Sequence, residues 1–79
     1  MKGGKSLLPS GIVAVEGTFG RGDLVSCLNS RKEEFARGLV NYDSHELSKI
    51  MQRKSSQIEE VLGYKYTDEV IHRDNLVIL

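Results

Sequence analysis

Apolar residues in the first half of the chain form short runs that are separated by glycines and polar residues. The run at residues 12–15 is mostly β-branched and has a glycine close to each end, which favours a buried strand over a helix of that length. Residues 24–28 predict a second strand, and residues 35–42 predict a third. Gly38 lies inside the third strand, where a glycine indicates a bulge or a close approach by another backbone.

Two connections separate these predicted strands. Residues 17–23 contain three glycines around Phe19 and Arg21, so the backbone there can adopt the positive φ angles that other residues resist. Residues 29–34 are all polar, and they are predicted to form a solvent-facing connection between the second and third strands.

The apolar spacing becomes helical after Asp43. Apolar residues then recur three and four positions apart, at Leu47, Ile50 and Met51. This spacing places them on one face of a helix. Asp43 and Glu46 have the spacing of a capping box, and Ser44 alone is the alternative cap. A first helix is therefore predicted to begin at this point.

A second helix is predicted from Ser56, because Ser56 and Glu59 again have capping-box spacing. The apolar residues of this segment share one face, and Gly63 can adopt the left-handed conformation that ends many helices. Tyr64 follows, at a position where an apolar group often packs back on the last turn. We interpret Tyr64 as a packing residue rather than a platform for a ligand.

The end of the chain returns to a β pattern. Residues 70–71 and 76–79 predict one or two further strands around a polar break. The predicted order is therefore strands, two short helices and strands, which defines a mainly β, α+β fold. A chain of 79 residues can build one hydrophobic core, so we expect a single domain at residues 6–79 after a flexible tail at residues 1–5.

Composition and charge limit the class of protein, the binding partners and the cellular compartment that we expect for this domain. Hydrophobic residues make up 39% of the chain and charged residues 28%, as in ordinary globular proteins. Eleven basic residues balance eleven acidic ones, so any binding to nucleic acid would need a local patch. No apolar run approaches the roughly 20 residues that cross a bilayer, and the lone Cys27 cannot form an internal disulfide. We therefore expect a cytoplasmic protein without membrane contact, with Cys27 in the core.

The sequence contains no complete catalytic or metal-binding motif. Two glycines within residues 17–24 have the spacing of a phosphate-binding loop, but the Lys and Ser or Thr that this loop needs do not follow them. The two histidines lie in different predicted elements, without clustered cysteines or carboxylates to complete a zinc site. No serine lies in a Gly-x-Ser-x-Gly motif. We expect no catalytic residue, no cofactor site and no metal site in this chain.

Arg53 and Lys54 precede Ser55 and Ser56 at the predicted start of the second helix. Backbone N–H groups at a helix start, together with cations, can hold an anion such as an RNA phosphate. The alternative interpretation is a solvated corner between the two helices. Arg53 and Lys54 are therefore candidate contacts for RNA or another anion.

Several segments of the chain occur in the order and spacing of a known family. They are residues 6–12 (Ser-Leu-Leu-Pro-Ser-Gly-Ile), 16–23 (Glu-Gly-Thr-Phe-Gly-Arg-Gly-Asp) and 36–42 (Ala-Arg-Gly-Leu-Val-Asn-Tyr), followed by residues 53–56, 60–64 and 70–77. This collinear series resembles the PUA domain at the carboxyl end of bacterial glutamate 5-kinases, over nearly all of the chain after Lys5.

The resemblance implies a PUA-like β pseudo-barrel with two short helices. It implies an accessory, regulatory domain attached to an ATP-dependent kinase that phosphorylates the γ-carboxylate of glutamate and so opens proline biosynthesis. The partner would be the amino-acid kinase domain, and ATP and magnesium would belong to that domain rather than to this chain. A purely structural spacer is a simpler alternative.

A second alternative is RNA binding, which is the role of PUA modules in enzymes that modify tRNA and rRNA. In those modules the loop before the strand at residues 12–15 and the last strand contact the RNA. Lys5, Ser6 and Arg73 are at the matching places in this sequence, and they complete the set of candidate contacts.

The sequence departs from the family pattern in three places. PUA domains normally begin with a strand and a helix before the segment that residues 3–11 represent, so we expect a partial domain that lacks both. Residues 29–34 stand where relatives usually have an Asp-Gly turn, and Gln52 stands where a glycine is common. A barrel without one strand exposes unpaired backbone groups along an edge, so we expect a homo-oligomer that forms through this edge.

Overall fold

A computed structural model describes residues 6–79, and the predicted tail at residues 1–5 lies outside the described residues. In the described range the chain forms three strands and two α-helices. They are β1 (Leu24–Leu28), β2 (Glu34–Leu39), α1 (Ser44–Ile50), α2 (Ile58–Leu62) and β3 (Leu76–Ile78). Short 3₁₀ turns occupy Pro9–Gly11, Ser55–Gln57 and Arg73–Asn75. The predicted α+β order of strands, two short helices and a final strand is confirmed.

The three strands form one antiparallel sheet in the order β1-β2-β3. The central strand β2 has Val25 opposite Gly38 on one side and Leu76 opposite Gly38 on the other. An isolated antiparallel bridge joins Leu7 to Ile71, where the Leu7 N–H donates to the Ile71 carbonyl at 2.9 Å. The bridge brings the first described residues beside the segment that leads into β3.

Residues 12–15 do not form the predicted strand. None of the strands described within residues 6–79 includes or pairs with them, and the Val13 side chain is 74% exposed. A β-branched sequence favours an extended backbone, but a strand also needs a neighbouring strand that bonds its N–H and C=O groups. The prediction is wrong because it considered the local pattern and not the pairing.

The core lies between the inner face of the sheet and the helices. The fully enclosed cluster consists of Val40, Tyr42, Leu47, Ile50, Ile58, Val70 and Ile71. Side chains alternate along β2, so that Ala36 is buried while Phe35 and Leu39 are exposed. The outer face of the sheet is consequently apolar and open to solvent. Its exposed large side chains are Leu24, Leu28, Phe35, Leu39 and Val77.

Gly38 lies at a place where the chain that follows the helices comes very close to β2. A Cβ atom at this position would lie 2.6 Å from the Asn75 carbonyl oxygen and 2.6 Å from Ile71 Cγ2. Neither distance leaves room for a side chain. The predicted close approach is therefore confirmed, whereas the irregularity in strand register falls between Cys27 and Leu28.

Helix α1 begins with the predicted capping box. Asp43 Oδ1 accepts a hydrogen bond from the Glu46 N–H at 2.7 Å, and Glu46 Oε1 accepts one from the Asp43 N–H at 2.9 Å. These two bonds satisfy backbone donors that have no partner inside the helix. Of the two caps considered from the sequence, Asp43 is therefore the one that the structure uses.

The second helical segment starts earlier than predicted. The 3₁₀ turn Ser55–Gln57 leads directly into α2, and Gln57 Oε1 accepts a hydrogen bond from the Lys54 N–H at 3.0 Å. The predicted cap at Ser56 is wrong, because that residue already lies within the turn. Gly63 follows α2 with a φ of 87°, as its position in the sequence predicted.

Two residues with side chains adopt positive φ angles within residues 6–79, Lys32 at 65° and Gln52 at 64°. Lys32 lies in the hairpin between β1 and β2, and Gln52 follows α1. Both are at places where the sequence departs from the family pattern. A left-handed conformation is unfavourable by roughly 1–2 kcal/mol for a residue that has a Cβ atom, so glycine would be favoured at both positions.

Candidate functional site

Ser6 and Arg73 lie next to each other. Ser6 Oγ accepts a hydrogen bond from the Arg73 N–H at 3.0 Å. Arg73 opens a 3₁₀ turn in which His72 Nδ1 accepts a hydrogen bond from the Asp74 N–H at 3.1 Å. The structure therefore brings together two of the residues that the sequence predicted as RNA contacts. The third, Lys5, lies outside the described residues.

Arg53 and Lys54 lie in the turn between α1 and the following 3₁₀ turn, and both are exposed. The N–H of Gln52 donates to the Pro9 carbonyl at 2.8 Å, so this turn is held against the same N-terminal segment that carries Ser6. The Lys54 N–H is already bonded to a side chain. An anion at this place would therefore be held mainly by the charged side chains of Arg53 and Lys54.

A group of tyrosines that the sequence analysis missed lies at the other end of α1. The tyrosine cluster consists of Tyr42, Tyr64 and Tyr66 together with Arg21 and Glu46. The ring centroid of Tyr66 is 5.2 Å from that of Tyr42 and 5.4 Å from that of Tyr64. The Arg21 guanidinium lies 3.8 Å above the centre of the Tyr66 ring, which is a favourable cation–π contact.

Glu46 connects the exposed tyrosines to α1, although it is only 7% exposed. Its Oε2 atom accepts hydrogen bonds from the hydroxyls of Tyr64 and Tyr66. The bond to Glu46 raises the pKa of Tyr64 to about 12, because a tyrosinate would face a carboxylate. Burial and the Glu46 charge raise the pKa of Tyr66, and the Arg21 charge partly opposes this rise.

Tyr42 fixes the loop that follows α2. Its ring is fully buried, and its hydroxyl donates to the Thr67 carbonyl while it accepts from the N–H groups of Tyr66 and Thr67 at 3.1 Å each. The glycine-rich turn is held to α1 in a similar way, because the Ser44 N–H donates to the Phe19 carbonyl at 3.0 Å. The tyrosine cluster is therefore a structural junction between the turn, α1 and this loop.

Sequence reasoning did not find this junction because its members are far apart in the chain. Tyr64 was interpreted as a packing residue on the last turn of α2, whereas its hydroxyl contacts Glu46 of α1. The two-residue spacing of Tyr64 and Tyr66 is a local signal for side chains on one side of an extended segment. No local pattern indicates that Arg21 lies over Tyr66.

An apolar groove of about 610 Å³ separates residues 11–19 from β1. Its lining includes Leu7, Ile12, Val15, Phe19, Val25, Cys27, Leu47, Val70 and Ile71. Lys32 Nζ and Glu16 Oε2 form an exposed ion pair of 2.7 Å between the two sides of the groove. Their hydrogen bond lowers the pKa of Glu16 and raises that of Lys32. The volume lies within the range of small-molecule pockets, about 300–1,000 Å³.

Cys27 lies on the inner side of β1 and is half-buried. Burial raises the pKa of its thiol, and the nearby Glu34 carboxylate acts in the same direction. Within residues 6–79, no group of three or more His, Cys, Asp or Glu side chains is arranged to hold a metal ion. None of the helices in the same range is long and apolar enough to cross a membrane.

Comparison with known proteins identifies the class of domain. The model of the PUA domain family matches residues 1–62, which is well over half of the 79 residues. The three-stranded antiparallel sheet and the two short helices are consistent with this fold. The chain therefore belongs to the PUA domain family.

The whole chain is also similar to a narrower group of proteins. It is 61% identical to a protein named glutamate 5-kinase from Nitrosomonas eutropha and 60% identical to one of the same name from Caldanaerobacter subterraneus subsp. tengcongensis. Each match covers 100% of this chain and 21% of the relative. The chain thus spans about a fifth of the length of these relatives. The predicted resemblance to the PUA domain of glutamate 5-kinases is confirmed.

Proposed function

We propose that this chain is the accessory PUA domain of a cytoplasmic glutamate 5-kinase and that it regulates the kinase without taking part in the chemistry. The observation that carries the proposal is the match of all 79 residues to one fifth of proteins with that name. The amino-acid kinase domain would then bind ATP and magnesium and phosphorylate the γ-carboxylate of glutamate. The PUA domain would tune its response to proline or its requirement for magnesium.

The outer face of the sheet supports this proposal, because it offers an apolar surface for packing against another domain. Leu24 is 67% exposed and Val77 is 62% exposed on this face. Arg37 lies opposite Ser26 of β1 and opposite Val77 of β3, and it forms an ion pair with Glu34 at 2.7 Å. Apolar area of this kind, with a charged pair in the middle, is typical of surfaces between domains of one polypeptide.

The regulatory role can be tested in the Nitrosomonas eutropha relative. Its matching segment would be deleted in one variant and replaced by this chain in a second, and ATP-dependent phosphorylation of glutamate would be measured with and without proline. We expect the deletion to retain turnover and to change the response to proline or magnesium, and the replacement to restore that response. Complete loss of turnover in a stably folded deletion variant would contradict a purely regulatory role.

RNA binding remains the second candidate, and the contact between Ser6 and Arg73 favours it. A gel-shift titration of a structured RNA at low salt tests this function. We expect affinity to fall steeply with salt, because phosphate contacts release counterions. Arg53→Ala, Lys54→Ala and Arg73→Ala should each weaken binding, whereas Arg31→Ala in the β1–β2 hairpin is the matched control. No shift at low salt would exclude this candidate.

A further inference from the structure

The outer edge of β1 is free of backbone partners in the described part of the chain. The Val40 N–H donates to the Asp23 carbonyl at 3.1 Å, and the Leu79 N–H donates to the Phe35 carbonyl at 2.9 Å. The backbone N–H and C=O groups of even-numbered residues of β2 therefore point towards β1, and those of odd-numbered residues point towards β3. By the alternation of an antiparallel ladder, Val25 and Cys27 bond to β2. The backbone groups of Leu24, Ser26 and Leu28 point away from it.

This edge also lacks the features that usually prevent strand edges from associating. Proteins protect such edges with charged residues, proline, bulges or very short strands. β1 has the sequence Leu-Val-Ser-Cys-Leu, without charge or proline, and its one irregularity falls at the end, between Cys27 and Leu28. The other edge strand, β3, has only three residues. β1 is therefore the more exposed of the two edges.

The apolar groove lies directly beside this edge. Val25 and Cys27 form part of its wall, and an incoming strand that paired with β1 would place its own inward side chains in the groove. Leu24 and Leu28, which are 67% and 43% exposed, would meet apolar neighbours on the outer face. Pairing would thus cover apolar surface on both faces of the sheet and satisfy the free backbone groups.

The five residues of β1 are complementary to a second copy of themselves. In an antiparallel pair centred on Ser26, Leu24 lies opposite Leu28 of the second copy, and Val25 lies opposite Cys27 of the second copy. The formal net charge of the chain is zero, so two copies do not repel each other overall. We propose that two copies of this chain pair through their β1 edges about a two-fold axis at Ser26, forming one six-stranded sheet.

The central position of Ser26 gives a test that depends on the axis. Ser26→Lys places two lysines opposite each other and should weaken dimerisation by roughly twofold to fivefold. Ser26→Glu alone should have a similar effect, because it places two glutamates opposite each other. Because each Ser26 meets its own copy, a mixture of the two variants should form a heterodimer. Sedimentation and light scattering of the 79-residue chain measure these states. Val77→Lys on β3 is the matched control and should leave the dimer intact.

A cross-link tests the register. The backbone N–H and C=O groups of Ser26 point away from β2 and would bond to the second copy. In an antiparallel ladder the neighbouring pair, Val25 and Cys27 of the second copy, then has no ladder hydrogen bonds, and its Cα atoms lie about 4.5 Å apart. This separation is within the range that a disulfide can join, roughly 4.4–6.8 Å. Val25→Cys should therefore give a covalent dimer on mild oxidation, whereas Val77→Cys should not.

Hydrogen exchange distinguishes the remaining outcomes. We expect the Ser26 and Leu28 amides to be protected in the dimer and to exchange on dilution to monomer. A monomer at all concentrations would overturn the proposal. Protected amides in that monomer would show that another segment covers the edge, and unprotected amides would show that nothing covers it. A dimer that Val77→Lys breaks and Ser26→Lys does not would also overturn it, since β3 would then be the interface.

Discussion

The two sides of the central strand β2 differ in how closely the rest of the chain approaches them. On the β3 side, Asn75 and Ile71 lie so close to Gly38 that a Cβ atom would not fit. On the β1 side, β2 is paired with β1, and a groove of about 610 Å³ separates β1 from residues 11–19. The close approach by later parts of the chain therefore occurs on the β3 side of the sheet, although β2 pairs with β1 over more residues than with β3. The open β1 side is the part of the fold that remains available for association.

Replacing a glycine by alanine on each of the two sides should give the largest difference in stability. Gly38→Ala puts a methyl group 2.6 Å from Asn75 O and Ile71 Cγ2, and we expect a loss of about 3 kcal/mol in the free energy of unfolding. Gly11 lines the groove and has no atom within 4 Å of an added Cβ. Gly11→Ala should change stability by less than about 1 kcal/mol. Urea denaturation measures both, and equal losses would remove the distinction between the two sides.

The buried hydroxyl of Tyr42 should give the next largest effect. Tyr42→Phe leaves the N–H groups of Tyr66 and Thr67 without their acceptor, which should reduce stability by about 2 kcal/mol. Tyr64→Phe is the matched control, because Tyr64 is 42% exposed and water can replace its hydrogen bond. We expect that variant to lose less than about 1 kcal/mol. A Tyr42→Phe variant as stable as the parent would show that this loop does not depend on the hydroxyl.

Glycine at the two strained positions should stabilise the protein. Gln52→Gly relieves the positive φ of 64° and should add about 1 kcal/mol, although glycine also makes the unfolded chain more flexible. Lys32→Gly on the open side should gain less, because it also removes the exposed ion pair with Glu16. Gln52→Ala keeps the Cβ atom and should give no gain. A gain from alanine equal to that from glycine would exclude backbone strain as the cause.

The smallest expected effect is the dependence of stability on pH through the titration of Tyr64. Tyr64 has its pKa raised to about 12 by the hydrogen bond to Glu46, above the value near 10 of an unfolded tyrosine. The bond therefore contributes fully below pH 10, and its contribution is lost as the pH rises from about 10 to 12. Ultraviolet absorbance of the tyrosinate reports the titration. Glu46→Gln should bring the Tyr64 transition back towards its ordinary pKa, and an unchanged transition would contradict the assigned cause.

Features that depend on neighbours in sequence were predictable. The strand at residues 24–28, the capping box of Asp43 and Glu46, and the left-handed Gly63 each follow from side chains within a few positions. The close approach at Gly38 was also predictable, because a glycine inside a strand usually marks a bulge or a place where another backbone comes near. Local chemistry was sufficient in each of these cases.

Features that depend on distant contacts were not predictable in the same way. The strand proposed at residues 12–15 failed because pairing is decided by other segments. Arg21, Glu46 and Tyr66 come into contact only in the folded chain, so no spacing of residues in the sequence predicts the tyrosine cluster. Ser6 and Arg73 were proposed together as RNA contacts because of the family resemblance, and no pattern in the chain indicates that they lie side by side.

The hydrogen bond between Ser6 and Arg73 joins residues that are 67 positions apart, and the bridge from Leu7 to Ile71 lies beside it. Closing so large a loop has an entropic penalty that is offset only when the intervening elements are already in place. These contacts should therefore form late during folding and rupture early during unfolding. The lifetime of the native state, more than the speed at which it is reached, would then depend on them.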